Sequence, residues 1–288
     1  MLSYLVTGLA VGALYALSGT GLVVLYRASG TLNLAYGAAG AGGVLLCWEL
    51  YTFQNLTMLT AITIGVLVTT ALSLAWGVLI EPLLMGRDVL VKAAATLGLA
   101  LAILGLCNWY WNDKARSLNL PSDAHGFDLA GVRVNLTQVL AFAVALLATV
   151  LASTFLRTSV TGTVMRALAN DRQLSSMLGV RVRRVEALAW LISGFTAGVS
   201  SILLADLTLL TANNLTFLVI PALAAALIGR LESLWLTLAG GLVIGVVEAS
   251  LTQFPAISPY RAMAPFVIAI AVTLWLGRHK VYSMRSMA

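Results

Sequence analysis

Apolar runs long enough to be helices alternate with short polar connectors along the whole chain. They fall at 3–25, 34–51, 57–80, 93–109, 136–156, 186–207, 214–229, 233–254 and 262–276. Crossing the hydrocarbon of a bilayer takes about 20 apolar residues in a helix, and several runs reach that length. Three of them, 34–51, 93–109 and 214–229, are short or glycine-rich. The pattern therefore predicts an all-α polytopic membrane bundle of about 8–10 transmembrane helices. No cationic stretch precedes the first run, which reads as a retained span rather than a cleaved leader.

Composition agrees. The 288 residues are 60% hydrophobic and only 10% charged, where a soluble domain has about 25% charged residues. Residues 1–288 read as one membrane domain, and its longest polar connectors are 108–135 and 157–185. The net charge of +6 matters through its placement, not as a nucleic-acid footprint. With the connectors assigned to alternate sides, one side holds Arg27, Arg87, Lys92, Arg157, Arg166, Arg172, Arg181, Arg183, Arg184, Arg230, Arg278, Lys280 and Arg285. The other holds Lys114, Arg116, Arg133 and Arg261. The positive-inside bias then predicts the N-terminus outside and the C-terminus in the cytoplasm, with 157–185 inside and 108–135 outside.

The residues offer no catalytic set. His125 and His279 lie outside the spans without a suggestive carboxylate or nucleophile, and no G-x-x-x-x-G-K-[ST] phosphate loop occurs. Cys47 and Cys107 sit in apolar runs without metal-ligand spacing and read as inert buried thiols. Neither an enzyme, a metal site nor a resident cofactor is expected. Among the acids, Glu49, Glu186 and Asp206 lie near span ends, where headgroups solvate them. Glu81 opens a connector and is expected in water. Glu248 lies deeper, on one helical stripe with Gly241, Gly245 and Thr252, so it is expected to point into protein. Similar stripes run through Gly8, Gly12, Tyr15 and Gly19, and through Gly194, Gly198 and Ser201. They predict close helix packing.

The stretch "YRASGTLNLAYGAAGAGG", residues 26–43, stands apart. Arg27 is placed to snorkel toward headgroups, and Asn33 to cap the next helix. The small residues from Gly37 to Gly43 allow two readings: an interrupted helix bordering a solute path, or a straight helix packed very closely on a neighbour. Asn33, Gly37, Gly40, Gly43 and Glu248 are the path candidates. Three "NLT" triplets, at Asn55, Asn135 and Asn214, are expected to cap helix starts. In the basic connector, "TGTVMRALAN" predicts a short amphipathic helix with Val164, Met165 and Leu168 on its apolar side. "DRQLSSMLG" predicts a second, ending before Gly179. The pair is expected either to dock a partner or to lie on lipid.

Three segments carry a resemblance. "GLAVGALYALSGTGLVVLYRASGTLNLAYGAAGAGG", "TGTVMRALANDRQLSSMLGVRVRRVEALAWLISGFTAG" and "IPALAAALIGRLESLWLTLAGGLVIGVVEA" with "ISPYRAMAPFVIAIAVTLWL" resemble the branched-chain amino acid ABC transporter permeases, H-type subunit. The resemblance covers nearly the whole chain. It implies an importer permease of the bacterial inner membrane, working with a second permease subunit, two cytoplasmic ATPase subunits that consume the ATP, and a periplasmic substrate-binding protein. It also implies that the loop with Arg166, Ala167 and Gly179 couples to the ATPase. Three features depart from the family pattern: Arg230 where a second glycine is usual, Ala38 where relatives are often polar or acidic, and the Ala167-to-Gly179 spacing. Urea and short-amide permeases are near relatives, so they remain the alternative. A cation-coupled secondary transporter is the rival from another class.

Overall fold

The computed structural model describes residues 2–122, 126–129, 132–170, 175, 180–254 and 258–285. Its helices are α1 (Leu2–Ser29), α2 (Tyr36–Phe53), α3 (Met58–Leu79), α4 (Val89–Trp111), α5 (Leu136–Thr158), α6 (Val160–Asn170), α7 (Val182–Leu207), α8 (Ala212–Thr216), α9 (Val219–Ile228), α10 (Leu234–Leu251) and α11 (Ala264–Arg285). Each of the nine expected runs is largely helical, and six helices among the described residues are long and apolar enough to cross a membrane. One addition breaks the all-helical pattern. Gly126–Leu129 and Val132–Asn135 pair as an antiparallel ribbon, with Phe127 opposite Val134 and Asp128 opposite Arg133.

The small-residue stripes decide which helices lie inside. The most apolar window of α1 is 89% buried, against 22% for both α4 and α5. α1 packs on α5, α7, α9 and α10, and so forms the hub. Its contact with α10 is backbone to backbone: a Cβ at Gly12 would lie 2.7 Å from the Gly241 carbonyl oxygen, and one at Gly8 2.8 Å from that of Gly245. Gly194 and Gly198 do the same for α7 on α3, where added Cβ atoms would meet Thr70 and Val66 Cα at 2.9 and 3.0 Å. A side chain added at Gly8, Gly12, Gly194, Gly198, Gly241 or Gly245 would meet the neighbouring helix at 3.0 Å or less, and small residues are what let helix backbones approach this closely. The outer helices bury one stripe each; in α4 it runs through Lys92, Thr96, Ala100, Ile103 and Cys107. Their remaining large apolar side chains face outward, as a lipid-facing surface requires. Cys47 and Cys107 are free and buried.

Following the chain back and forth puts Arg27, Arg157, Arg184 and Arg230 at one end of the bundle, called here the basic end. Trp111, Arg116 and Arg133 lie at the far end. There the 112–122 connector is tied to the bundle rather than left as a loose lip. The Arg116 and Leu210 backbones exchange hydrogen bonds at 3.0 and 3.1 Å. The Arg116 guanidinium lies 4.7 Å from the centre of the Trp48 ring, and the Leu120 N–H donates to Asp206 Oδ1 at 2.7 Å.

Several local expectations are corrected. Of the three NLT asparagines only Asn135 occupies an N-cap. Thr57 caps α3 and Thr211 caps α8, while Asn55 takes a left-handed φ of 51° in the turn before α3. Threonine hydroxyls two or three residues away are better placed to accept from the first turn. The Arg27 guanidinium donates to the Glu232 carbonyl at 3.2 Å and ties the end of α1 to the α9–α10 turn. In that turn Arg230 and Leu231 adopt φ of 54° and 55°, the conformation that glycine adopts without strain.

Candidate functional site

The glycine run of α2 is not interrupted, for the helix is continuous from Tyr36 to Phe53. The irregular backbone lies just before it. Residues 30–35 leave α1 through a left-handed Gly30 (φ 66°) and run non-helically, with Thr31, Asn33 and Ala35 buried. Thr96 holds this link: its hydroxyl accepts from the Leu34 N–H at 3.2 Å and lies 2.9 Å from the Leu32 carbonyl oxygen. Thr96 is seven residues into α4, so the link runs roughly 10 Å inside the basic end at ~1.5 Å per residue. Asn33 Oδ1 accepts from the Ala35 N–H at 3.1 Å and turns the chain toward α2, whose N-cap is Ala35 without a side-chain bond, so Asn33 bridges the approach to the helix rather than capping it.

The mouth of this link is held by a buried ion pair that corrects the expected solvation of Glu81. Glu81 is 1% exposed, and Lys92 Nζ lies 3.1 Å from its Oε1. Thr31 donates to the same oxygen at 2.5 Å, and Lys92 donates to the Ser29 carbonyl at 3.1 Å. The 3-10 turn Glu81–Leu84 after α3 swings the carboxylate inward. Lys92 and Thr96 share one face of α4, which the sequence shows by their spacing of four. Nothing in the sequence shows that Glu81 turns back. Glu186, expected at an interface, is also buried (2% exposed).

A second irregularity splits the 214–229 run. α8 ends at Thr216, α9 starts at Val219, and the break is closed by three-residue hydrogen bonds, Leu218 to Leu215 at 3.2 Å and Ile220 to Phe217 at 3.0 Å. Pro221 explains it: without an N–H it cannot serve the Phe217 carbonyl, and Ile220 does so over the tighter span. The two irregular segments meet. A Cβ at Gly37, in the first turn of α2, would overlap the Thr216 carbonyl oxygen and lie 2.6 Å from that of Leu215. Next to them the Tyr36 hydroxyl is 3.5 Å from Ser200 Oγ on α7.

The other candidates are placed as follows. A Cβ at Gly40 would overlap Ser201 Oγ, and one at Gly43 would overlap Thr69 Oγ1. Glu248 is elsewhere, near the far end of α10, where Tyr15 donates to its Oε2 at 2.9 Å. It points into protein as expected but does not join the link. At the basic end, α6 buries Met165 and Leu168 against Val24, Leu25, Leu156 and Trp190, as its amphipathic pattern requires. Arg166 reaches Thr163 Oγ1 at 3.2 Å, and Ala167 is exposed. Gly179 and most of the second expected helix lie outside the described residues. Between α6 and α7 runs a groove of about 440 Å³, lined by Val160, Thr161, Val164, Val180, Arg181, Arg184, Val185 and Leu188.

Comparison with known proteins follows the same lines. Residues 4–274 match the family described as branched-chain amino acid transport system / permease component. The high-affinity branched-chain amino acid transport system permease protein BraD of Pseudomonas aeruginosa is 28% identical, over 97% of this chain and 97% of its own. LivH proteins of that same description from Escherichia coli K12 and Salmonella typhimurium are 25% and 24% identical, each over 95% of this chain and 92% of their own. With almost its whole length matched, the chain belongs to the branched-chain amino acid transport permease family.

Proposed function

We propose that this chain is the membrane-spanning permease subunit of an ABC importer that moves branched-chain or related amino acids across the bacterial inner membrane. The observation that carries the reading is the meeting of two irregular backbones, the 30–35 link and the 217–218 break, inside the bundle. Non-helical backbone at membrane depth is tolerated where it lines protein or a water-filled path, and it marks solute sites in transporters. A second permease subunit completes the path, two ATPase subunits act at the basic end, and a periplasmic binding protein delivers solute at the far end. The exposed side of α6 with Ala167, beside the groove against α7, is the coupling surface.

The test is uptake of radiolabelled leucine by cells expressing the chain with its ATPase and binding-protein partners. Competition by isoleucine and valine, but not by urea or acetamide, is the expected result; the reverse order selects the amide reading. Ala167→Glu is expected to abolish uptake by spoiling the fit of α6. Orientation is tested in a background lacking Cys47 and Cys107. An impermeant thiol reagent on intact cells is expected to label Asp128→Cys and not Thr163→Cys. A cation-coupled mechanism would use a charge in the path, but Glu248 and the Glu81–Lys92 pair sit at opposite ends of the bundle. Leucine accumulation by the isolated chain on a proton or sodium gradient would overturn the ABC reading.

A further inference from the structure

One stripe of α7 stays open along the bundle. Arg181, Arg184, Leu188, Leu191 and Phe195 follow one another at spacings of three or four residues and so share a face of the helix. Leu191 is 39% exposed and Phe195 53%. At the basic end the stripe opens into the groove of about 440 Å³ against α6. Val160, Val164, Val185 and Leu188 give that groove an apolar floor, and Arg181 and Arg184 stand exposed over it. No acid lines it, and neither arginine makes an ion pair among the described residues. Leu188 and Phe195 lie six and thirteen residues past Val182, the start of α7. That is roughly 9 and 20 Å along the helix at ~1.5 Å per residue. The groove thus has a charged end and a hydrocarbon track that runs from it into the span.

We propose that the α6–α7 groove binds an anionic phospholipid, its phosphate between Arg181 and Arg184 and one acyl chain along Leu188, Leu191 and Phe195. Guanidinium groups hold phosphate oxygens through paired N–H donors. Basic pockets between helices at the edge of a membrane hold anionic headgroups in this way. Charge and depth together select the occupant. A soluble ATPase partner can reach the arginines, but it cannot follow the track into the span. A second copy of this chain, related by an axis along the membrane normal, would bring its own basic end to the same level, and like charges would face each other. An amphiphile with an anionic head and a long hydrocarbon chain meets both ends of the groove. Seated there, it fills the space between α6 and α7 and steadies the helix that carries Ala167.

The test uses the full-length chain purified in detergent, without leucine or ATP, so it stands apart from the importer reading. Native mass spectrometry measures the retention of palmitoyl-oleoyl phosphatidylglycerol and of phosphatidylcholine with the same chains. The expected result is retention of phosphatidylglycerol at much lower concentration than phosphatidylcholine. Arg181→Gln and Arg184→Gln are each expected to weaken it about fivefold, while Lys114→Gln, exposed at the far end, leaves it unchanged. Dihexanoyl phosphatidylglycerol has the same head but chains too short for the track, and it is expected to be released. Equal retention of phosphatidylcholine would mean that the groove takes hydrocarbon only. Equal retention of the dihexanoyl lipid would mean that it takes the anion only. Either result overturns the proposal. So do arginine variants that keep phosphatidylglycerol but no longer assemble with the ATPase subunits, which would assign the arginines to that partner. Cells that import leucine through a chain retaining no phosphatidylglycerol would sink this inference and leave the importer reading standing.

Discussion

Lys92 and Glu81 form a buried ion pair, Nζ to Oε1 at 3.1 Å, between the start of α4 and the turn after α3. Both also bond to the α1–α2 connection, through Ser29 and Thr31, so the pair fixes where the non-helical link enters the bundle. Removing one partner leaves a buried charge uncompensated, which costs about 3–5 kcal/mol, whereas replacing both by apolar groups is often close to neutral. Lys92→Met and Glu81→Leu are each expected to lower the melting temperature in detergent markedly. The double variant is expected to recover most of the loss. A double variant as unstable as the sum of the singles would mean that the two side chains act independently and not as a pair.

The glycines of this chain are not equivalent. Gly12 lies against the Gly241 backbone, while nothing lies within 4 Å of a Cβ added at Gly98. Gly98→Ala is expected to stabilise α4 by about 0.5–1 kcal/mol through helix propensity. Gly12→Ala is expected to push α1 off α10 and reduce the yield of monodisperse protein. Size-exclusion profiles and melting curves of the two variants make the comparison.

Gly40 and Ser201 interlock, and a swap tests the contact directly. Gly40→Leu is expected to prevent a stable fold, because even a methyl group there overlaps the Ser201 side chain. Adding Ser201→Gly to Gly40→Ala moves the side chain across the seam. It is expected to restore much of the stability that Gly40→Ala alone removes. A Gly40→Leu chain that melts like the parent would show that α2 does not rest on α7 here.

Arg230 holds φ at 54° with its side chain exposed. A non-glycine residue in the left-handed region carries a conformational cost of roughly 1 kcal/mol. Arg230→Gly is therefore expected to raise stability by about 0.5–1 kcal/mol, less the larger entropy of glycine in the unfolded chain. A drop in melting temperature would mean that Arg230 makes contacts that outweigh the strain.

The sequence alone determined the class and the helices. Burying apolar side chains in lipid needs long hydrophobic runs, and a run is a local property that can be counted. The packing stripes were legible for the same reason: Gly8 and Gly12, or Gly241 and Gly245, share a helical face by spacing alone. Tertiary structure decided what those stripes touch. Gly37 to Gly43 allowed either a break or a close contact, and the neighbours chose contact, since Ser201, Thr69 and the Thr216 carbonyl fill the space a side chain would need. The break moved to residues 30–35, where Thr96, 62 residues beyond Leu34 and 64 beyond Leu32, supplies hydrogen bonds that α-helix would otherwise provide. Glu81 was misread for a related reason. A carboxylate beside a connector is solvated unless a distant cation draws it inward, and only the fold brings Lys92 to it.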